Sequence, residues 1–288
     1  MKKSWYKDKV FVITGASGGI GSEICRTFAP LGLRMYLLDL PTPKLEKLVE
    51  EVKSLGATHA EALEMDVTNK EQVESIINYI GEKEKYIDIL YNNAGIGNKA
   101  SITNGGKFED YRKLMAANVD GMWLVLQAAL PYIGRPAPTK KYPNRRIGQL
   151  IFSSSLGGKT GVPYMAAYSM SKHAVVALAD SVRMEYRLLY GKDAIQVITV
   201  CPAPTNTGFY NTPELEQWRD NYNNASRLFK LITPEDIAKR VLKASRKNKK
   251  EICIPRYSWL LTLLNVLSHD YIARLMIKIE QQNKNLQT

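Results

Sequence analysis

The stretch Val10-Phe11-Val12-Ile13-Thr14-Gly15-Ala16-Ser17-Gly18-Gly19-Ile20-Gly21 decides the fold. Val10 to Ile13 run without a polar break, as in a strand covered on both faces within a parallel sheet. Glycines then take over. Gly15, Gly19 and Gly21 permit a tight turn, close approach of backbone to a phosphate, and a following helix laid against the sheet. The segment from Gly19 to Pro30 reads as that helix, with its free N–H groups aimed at an anion in the turn. The turn through Gly15, Ser17, Gly19, Ile20 and Gly21 is therefore a candidate pyrophosphate cradle, the alternative being glycines that serve packing alone.

The 288 residues, 45% of them hydrophobic, suffice for one sizeable domain. Cys25, Cys201 and Cys253 are too few and too scattered for a disulfide framework or a metal site. That usage fits a reducing cytoplasm, and the apolar run after Lys9 is cut by Gly15 before it could form a secretory segment. The net charge of +12 is concentrated between Arg227 and Arg256, where ten Lys or Arg face three acids. No base-reading motif accompanies this charge, so nucleic acid is not an expected partner.

Outward from the glycine turn, Arg34 to Asp39 reads as a second strand ending in a carboxylate, 18 residues past Gly21. That offset places an acid at the adenosine ribose, where it accepts from both hydroxyls and repels a 2′-phosphate, favouring NAD over NADP. The competing reading is an Asp that only opens a turn before Pro41. Thr42 to Leu55 follows as a helix with Pro43 in first position, then a strand Ala62 to Val67. Thr68 and Glu71 have capping-box spacing for a helix to about Ile80. Ile87 to Tyr91 leads into Asn92-Asn93-Ala94-Gly95, a small-residue loop on the ligand side of such sheets. Phe108 to Ile133 reads as a long helix in which Asn118 and Gly121 signal a kink or a polar role.

A loop from Gly134 to Arg146 precedes the strand Gln149 to Phe152 and Ser153-Ser154-Ser155. Tyr168 and Lys172 share one helical face, one turn apart. Tyr79 and Lys83 have the same spacing, so only the company of a Ser-rich strand end distinguishes the first pair. Ala194 to Val200 is a sixth strand, and Glu251 to Ile254 the last. A lid over 205–232 carries Phe209, Tyr210, Trp218, Tyr222 and Phe229, a set suited to an apolar pocket. The pattern gives an α/β fold: one doubly wound parallel β-sheet of about seven strands flanked by helices, with a helical lid. Residues 1–256 form the domain and 257–288 an amphipathic helical tail packed on it. The tail has three competing uses: a wall of its own substrate pocket, an interface with a second subunit, or a peripheral contact with a membrane.

These residues resemble the short-chain dehydrogenase/reductase family over nearly the whole chain to about Ile254, with its Rossmann fold. Thr14 to Gly21 is similar to its Thr-Gly-x-x-x-Gly-x-Gly motif, and Asn92 to Gly95 to its Asn-Asn-Ala-Gly motif. Asn118, Ser155, Tyr168 and Lys172 fall at its catalytic tetrad. The resemblance implies that Asp66 and Val67 hold the adenine, that Asn93, with Ala94 and Gly95, lines the cofactor cleft, and that Pro202 and Thr207 meet the nicotinamide side. It also implies dimers or tetramers through the helices holding Asn118 and Tyr168. One departure is Ala203, where the family usually has Gly.

The expected reaction transfers a hydride between nicotinamide and a secondary alcohol or ketone, hydrophobic and steroid- or lipid-like. An ammonium about 4 Å from the Tyr168 phenol, at an effective dielectric near 20, favours the phenolate by roughly 4 kcal/mol, bringing its pKa near 7. Tyr168 then takes the alcohol proton, Ser155 bonds the substrate oxygen, and Asn118 holds a water linking Lys172 to solvent. The rival class is a dinucleotide-sensing or membrane-associated binding protein without turnover.

Overall fold

A computed structural model describes residues 3–97, 102–103, 105–133, 148–191, 195–207, 216 and 231–285. Strand β1 (Val10–Thr14) is buried along its whole length. Alternation explains this: Phe11 and Ile13 enter the core on one face, Val10 and Val12 the core on the other.

The other strands are β2 (Arg34–Asp39), β3 (His59–Glu64), β4 (Ile89–Asn92), β5 (Gly148–Ser153), β6 (Ile195–Pro202) and β7 (Glu251–Ile254). They form one seven-stranded sheet in the order β3-β2-β1-β4-β5-β6-β7, with every pairing parallel. The order reverses at β1, which opens a crevice beyond the carboxyl ends of β1 and β4.

Helices α1 (Gly19–Phe28) and α2 (Pro43–Ser54) cover one face with α7 (Pro234–Arg246), through Ile24, Phe28, Leu48, Ile237 and Val241. The other face is covered by α3 (Lys70–Glu84), α5 (Gly121–Ala129) and α6 (Ala166–Tyr190), through Ile77, Val125, Val175 and Val182. Helix α4 (Phe108–Met115) precedes α5, and the tail forms α8 (Ser258–Leu267) and α9 (His269–Asn285). No described helix is long and apolar enough to cross a membrane.

Several local expectations shift. The third strand lies three residues earlier, because the chain leaves the sheet after Glu64 and Asp66 closes a turn on Thr68. That turn takes the Thr68 hydroxyl, so Asn69 caps α3 instead, accepting the Gln72 N–H at 3.0 Å. The expected helix from Phe108 is interrupted by a π turn at Ala116–Asp120, where Asn118 stands. The expected lid lies outside the described residues except at its ends and Glu216; Thr205 and Ile232, at those ends, form a parallel bridge. The loop from Gly134 to Arg146 also lies outside them.

Candidate active site

The glycine turn is shaped by contacts that admit no side chain. Gly15 has φ +64°, and a Cβ on Gly21 would stand 2.1 Å from the Gly15 carbonyl oxygen. A Cβ on Gly19 would stand 2.7 Å from Thr207 Cγ2, so Thr207 lies directly against the turn. Helix α1 starts there with Gly18 at its N-cap and no side-chain cap, an arrangement that leaves the first N–H groups to an anion.

Asp39, at the end of β2, is half-buried at the edge of the cleft. Its Oδ2 accepts the Ser17 N–H at 2.8 Å and the Ser17 hydroxyl at 2.6 Å, while Oδ1 accepts the Leu40 N–H at 2.8 Å. A carboxylate has about four lone-pair sites, so acceptor capacity remains for a ribose. Asp66 and Val67 line the same end. Gly121 makes room for Val67, since a Cβ there would meet Val67 Cγ2 at 2.8 Å. A glycine that looked out of place in a helix is thus required by a residue of the cleft wall.

Asn92 and Asn93 act as braces. Thr14 Oγ1 accepts the N–H groups of Asn93 and Ala94 at 2.9 and 3.0 Å and donates to Asn92 Oδ1 at 3.4 Å. The Asn93 amide donates to the carbonyls of Thr14 and Gly15 at 3.1 and 3.2 Å and accepts from Ser153 at 2.9 Å. The side chain expected against the cofactor therefore locks the ends of β1, β4 and β5 together. In the sequence Thr14 stands as the first residue of the glycine motif; in the structure its hydroxyl is the hub of this brace.

Asn118 is fully buried. Its Oδ1 accepts the Ile96 N–H at 2.7 Å, and Nδ2 donates to the Ile96 carbonyl at 2.9 Å and to Ser171 Oγ at 3.0 Å. Both amide hydrogens are thus engaged. Gly95 fits between Asn118 and Lys172, a Cβ there meeting Asn118 Oδ1 at 2.9 Å and Lys172 Nζ at 3.4 Å.

Ser155, Tyr168 and Lys172 meet beyond the end of β5. Ser155 caps a short 3-10 turn (Leu156–Gly158) by accepting the Gly157 N–H at 3.1 Å, donates weakly to the Pro202 carbonyl at 3.5 Å, and shares a hydrogen bond with Tyr168. Lys172 is 5% exposed and donates to the Ser153 carbonyl at 3.0 Å. Its Nζ lies 5.7 Å from the Tyr168 ring centroid.

Here the electrostatic expectation is corrected. Burial pushes the Tyr168 phenol up to about 12, only partly opposed by the Ser155 hydrogen bond. Burial also pulls the Lys172 ammonium down to about 8. Withdrawal from water favours the neutral form of each group, because each loses solvation of its charged form. At neutral pH the phenol keeps its proton.

Tyr79 and Lys83 provide a comparison at identical spacing. Lys83 Nζ lies 2.9 Å from Tyr79 Oη, yet both groups bond the Glu61 carboxylate, at 2.8 and 3.0 Å, at the exposed β3 edge of the sheet. Neither residue lines the cleft, and the pair ties α3 to β3.

The cleft has a volume of about 1120 Å³, ample for a dinucleotide and a further molecule. It runs from Asp39, Asp66 and Val67 past Gly15, Ser17, Gly19, Ile20, Gly21, Asn93, Ala94 and Gly95 to Ser155, Tyr168, Lys172, Pro202 and Thr207. Every expected cofactor residue lines it. Asn118 stands behind Gly95 instead. Ala203 packs into the core at 6% exposure, with its N–H bonded to the Ile254 carbonyl at 2.7 Å, so its methyl is accommodated. Leu156, Val162, Pro163, Met165 and, from the tail, Met276 also line the cleft. The apolar spacing of the tail left the placement of Met276 open.

A profile of the short chain dehydrogenase family matches residues 9–218. The 17-beta-hydroxysteroid dehydrogenase 13 of Mus musculus is 28% identical over 246 residues, covering 85% of this chain and 73% of that protein. The meso-2,3-butanediol dehydrogenase of Serratia marcescens is 29% identical over 233 residues, covering 81% of this chain and 85% of that protein. Among solved structures, a short chain dehydrogenase/reductase from Burkholderia phymatum in complex with NAD superposes with a TM-score of 0.78, at 23% identity, over 92% of this chain and 94% of that one.

Proposed function

This chain belongs to the short chain dehydrogenase family and is an oxidoreductase, and from that premise we propose that it moves a hydride between NAD and a secondary alcohol or ketone, with Tyr168 as general acid and base. The observation that carries the reading is the convergence of Ser155, Tyr168 and Lys172 at one end of a cleft whose other end holds the glycine turn and Asp39. The residues fit a dinucleotide: Gly15, Gly19 and Gly21 leave no room for a side chain in the turn, and the Asp39 carboxylate is anchored beside it with acceptor capacity left. Two relatives bearing the names of secondary-alcohol dehydrogenases, one for a steroid and one for a small diol, support the reaction class. The NAD of the Burkholderia structure agrees with the selectivity argued from Asp39.

Gly15, Ser17, Gly19, Ile20 and Gly21 would hold the pyrophosphate, Asp39 the ribose, Asp66 and Val67 the adenine, and Pro202 and Thr207 the nicotinamide side. When bound, the nicotinamide accepts or donates the hydride. Tyr168 holds the proton that moves to or from the substrate oxygen, and Ser155 donates a hydrogen bond to that oxygen as charge develops on it. Lys172, fixed by the Ser153 carbonyl, supplies positive charge that favours the phenolate whenever it is protonated. Asn118 holds Ile96 and Ser171, and so the loop and helix on either side of Lys172.

The apolar border formed by Leu156, Val162, Met165 and Met276 favours a hydrophobic substrate. In this reading the tail is an extension of the one domain, with Ile272 buried and Met276 as part of the pocket wall. Exposed Phe108, Trp123, Met170 and Met184 on α4, α5 and α6 favour a homodimer or homotetramer. The test is NADH formation from a panel of secondary alcohols that runs from small diols to steroids. Turnover of at least one supports the proposal, and silence across the panel with either dinucleotide contradicts it.

A further inference from the structure

Helix α8 is mounted inside out. Ser258 is fully buried, with its hydroxyl donating to the Pro255 carbonyl at 2.5 Å, and Asn265 Nδ2 donates to the Lys159 carbonyl at 3.3 Å. Polar side chains thus turn toward the protein. On the opposite side Trp259, Leu260, Leu263, Val266 and Leu267 are between 43% and 72% exposed. Their spacing of i, i+1, i+4, i+7 and i+8 places them on one face of the helix. A helix resting on a water-soluble domain shows the opposite arrangement. Helix α9 differs in part: Ile272 is buried and Met276 lines the cleft, while Arg274 and Lys278 are exposed together with Tyr271 and Ile277.

We propose that this face of α8 seats in the surface of a lipid bilayer carrying anionic headgroups. Ten residues span about 15 Å, too short to cross a bilayer but suited to lying in its interface. Tyr257, Trp259 and Tyr271 are each more than half exposed, and such amphipathic rings favour the headgroup level. Arg256, just before α8, and Arg274 and Lys278 on α9 are exposed, and Asp270 is the one acid between positions 256 and 278. With a chain charge of +12, these cations complement an anionic surface.

A second copy of the chain fits less well. A two-fold contact sets each patch against itself, so the same cations would face their own counterparts between two molecules of charge +12. Docking rests on α8 and not on the proposed reaction. Ser268 alone separates α8 from the helix that brings Met276 to the cleft, which joins the lipid-facing surface to the cleft lining.

The experiment floats the full-length protein with phosphatidylcholine vesicles, with and without phosphatidylglycerol, at physiological salt. The protein is expected to float with the anionic vesicles. The double variant Leu263→Glu/Val266→Glu should lower the bound fraction at least tenfold, with thermal unfolding and turnover of a water-soluble secondary alcohol unchanged. Should that variant fail to fold, brominated acyl chains provide the second readout: they should quench wild-type fluorescence, and Trp259→Phe should still float while losing most of that quenching. A wild-type protein that does not float with anionic vesicles overturns the proposal. So does a folded double variant that floats undiminished, or a wild-type dimer that the double variant dissociates, since a second copy would then cover the face. Turnover of the soluble alcohol is read separately, so a failed reaction and a failed docking give different results.

Discussion

The amine of Lys172 reaches to 5.7 Å from the centre of the Tyr168 ring, one turn further along α6, with both groups withdrawn from water. Their spacing along the helix creates the pair, and its burial beyond the end of β5 sets the protonation. With the phenol near 12 and the amine near 8, Tyr168 keeps its proton at neutrality and is ready to donate to a ketone. Ketone reduction should therefore hold level around neutral pH. Alcohol oxidation needs the phenolate, so its rate should climb with pH, approaching tenfold per unit between about pH 6 and 8. Initial rates in both directions over that range check this, and a level oxidation profile would contradict it.

Asp39 is expected to choose the dinucleotide. Asp39→Asn keeps an acceptor for the Ser17 N–H and hydroxyl, which Asp39 Oδ2 now takes at 2.8 and 2.6 Å, but removes the charge. Hydrogen bonds to a charged group contribute about 1.5–3 kcal/mol, so kcat/KM for NAD should fall about ten- to hundredfold, while NADP loses nothing or gains. Steady-state kinetics with each dinucleotide measure the ratio. An unchanged ratio would remove Asp39 from the ribose site.

The Gly121 contact is testable by stability. A methyl added there enters Val67 at 2.8 Å, and overpacking of this kind costs about 1–3 kcal/mol. Gly121→Ala should lower stability by that amount in urea denaturation. Adding Val67→Ala should recover little of the loss, because the methyl also meets the Val67 Cβ and carbonyl oxygen at 2.9 Å, which alanine keeps.

Much of this was legible in the sequence, for particular reasons. Val10 to Ile13 had no polar break because β1 lies between two cores, and the seven strands followed from the same patterning. Asn118 and Gly121 signalled trouble within a helix, and the π turn and the Val67 contact are its two causes. What stayed hidden depended on contacts between distant segments. The Thr14 hydroxyl gains its role only when β4 arrives beside β1. Thr68 gave way to Asn69 as a helix cap because Asp66 claimed its hydroxyl. The direction of the Tyr168 shift depends on burial, which helical spacing does not report. The apolar run from Trp259 to Leu267 gave no sign of which side of α8 would face the protein.

The measurement that tests the account most directly compares Tyr168→Phe with the wild-type enzyme, reading hydride transfer to NAD from a secondary alcohol alongside NADH binding by fluorescence. Removing one hydroxyl takes away the proton carrier and leaves the glycine turn and Asp39 untouched. Turnover should fall by about 10²- to 10⁴-fold, with NADH affinity within about twofold of wild type. Turnover that survives in the variant with NADH still bound would place the acid and base elsewhere in the cleft.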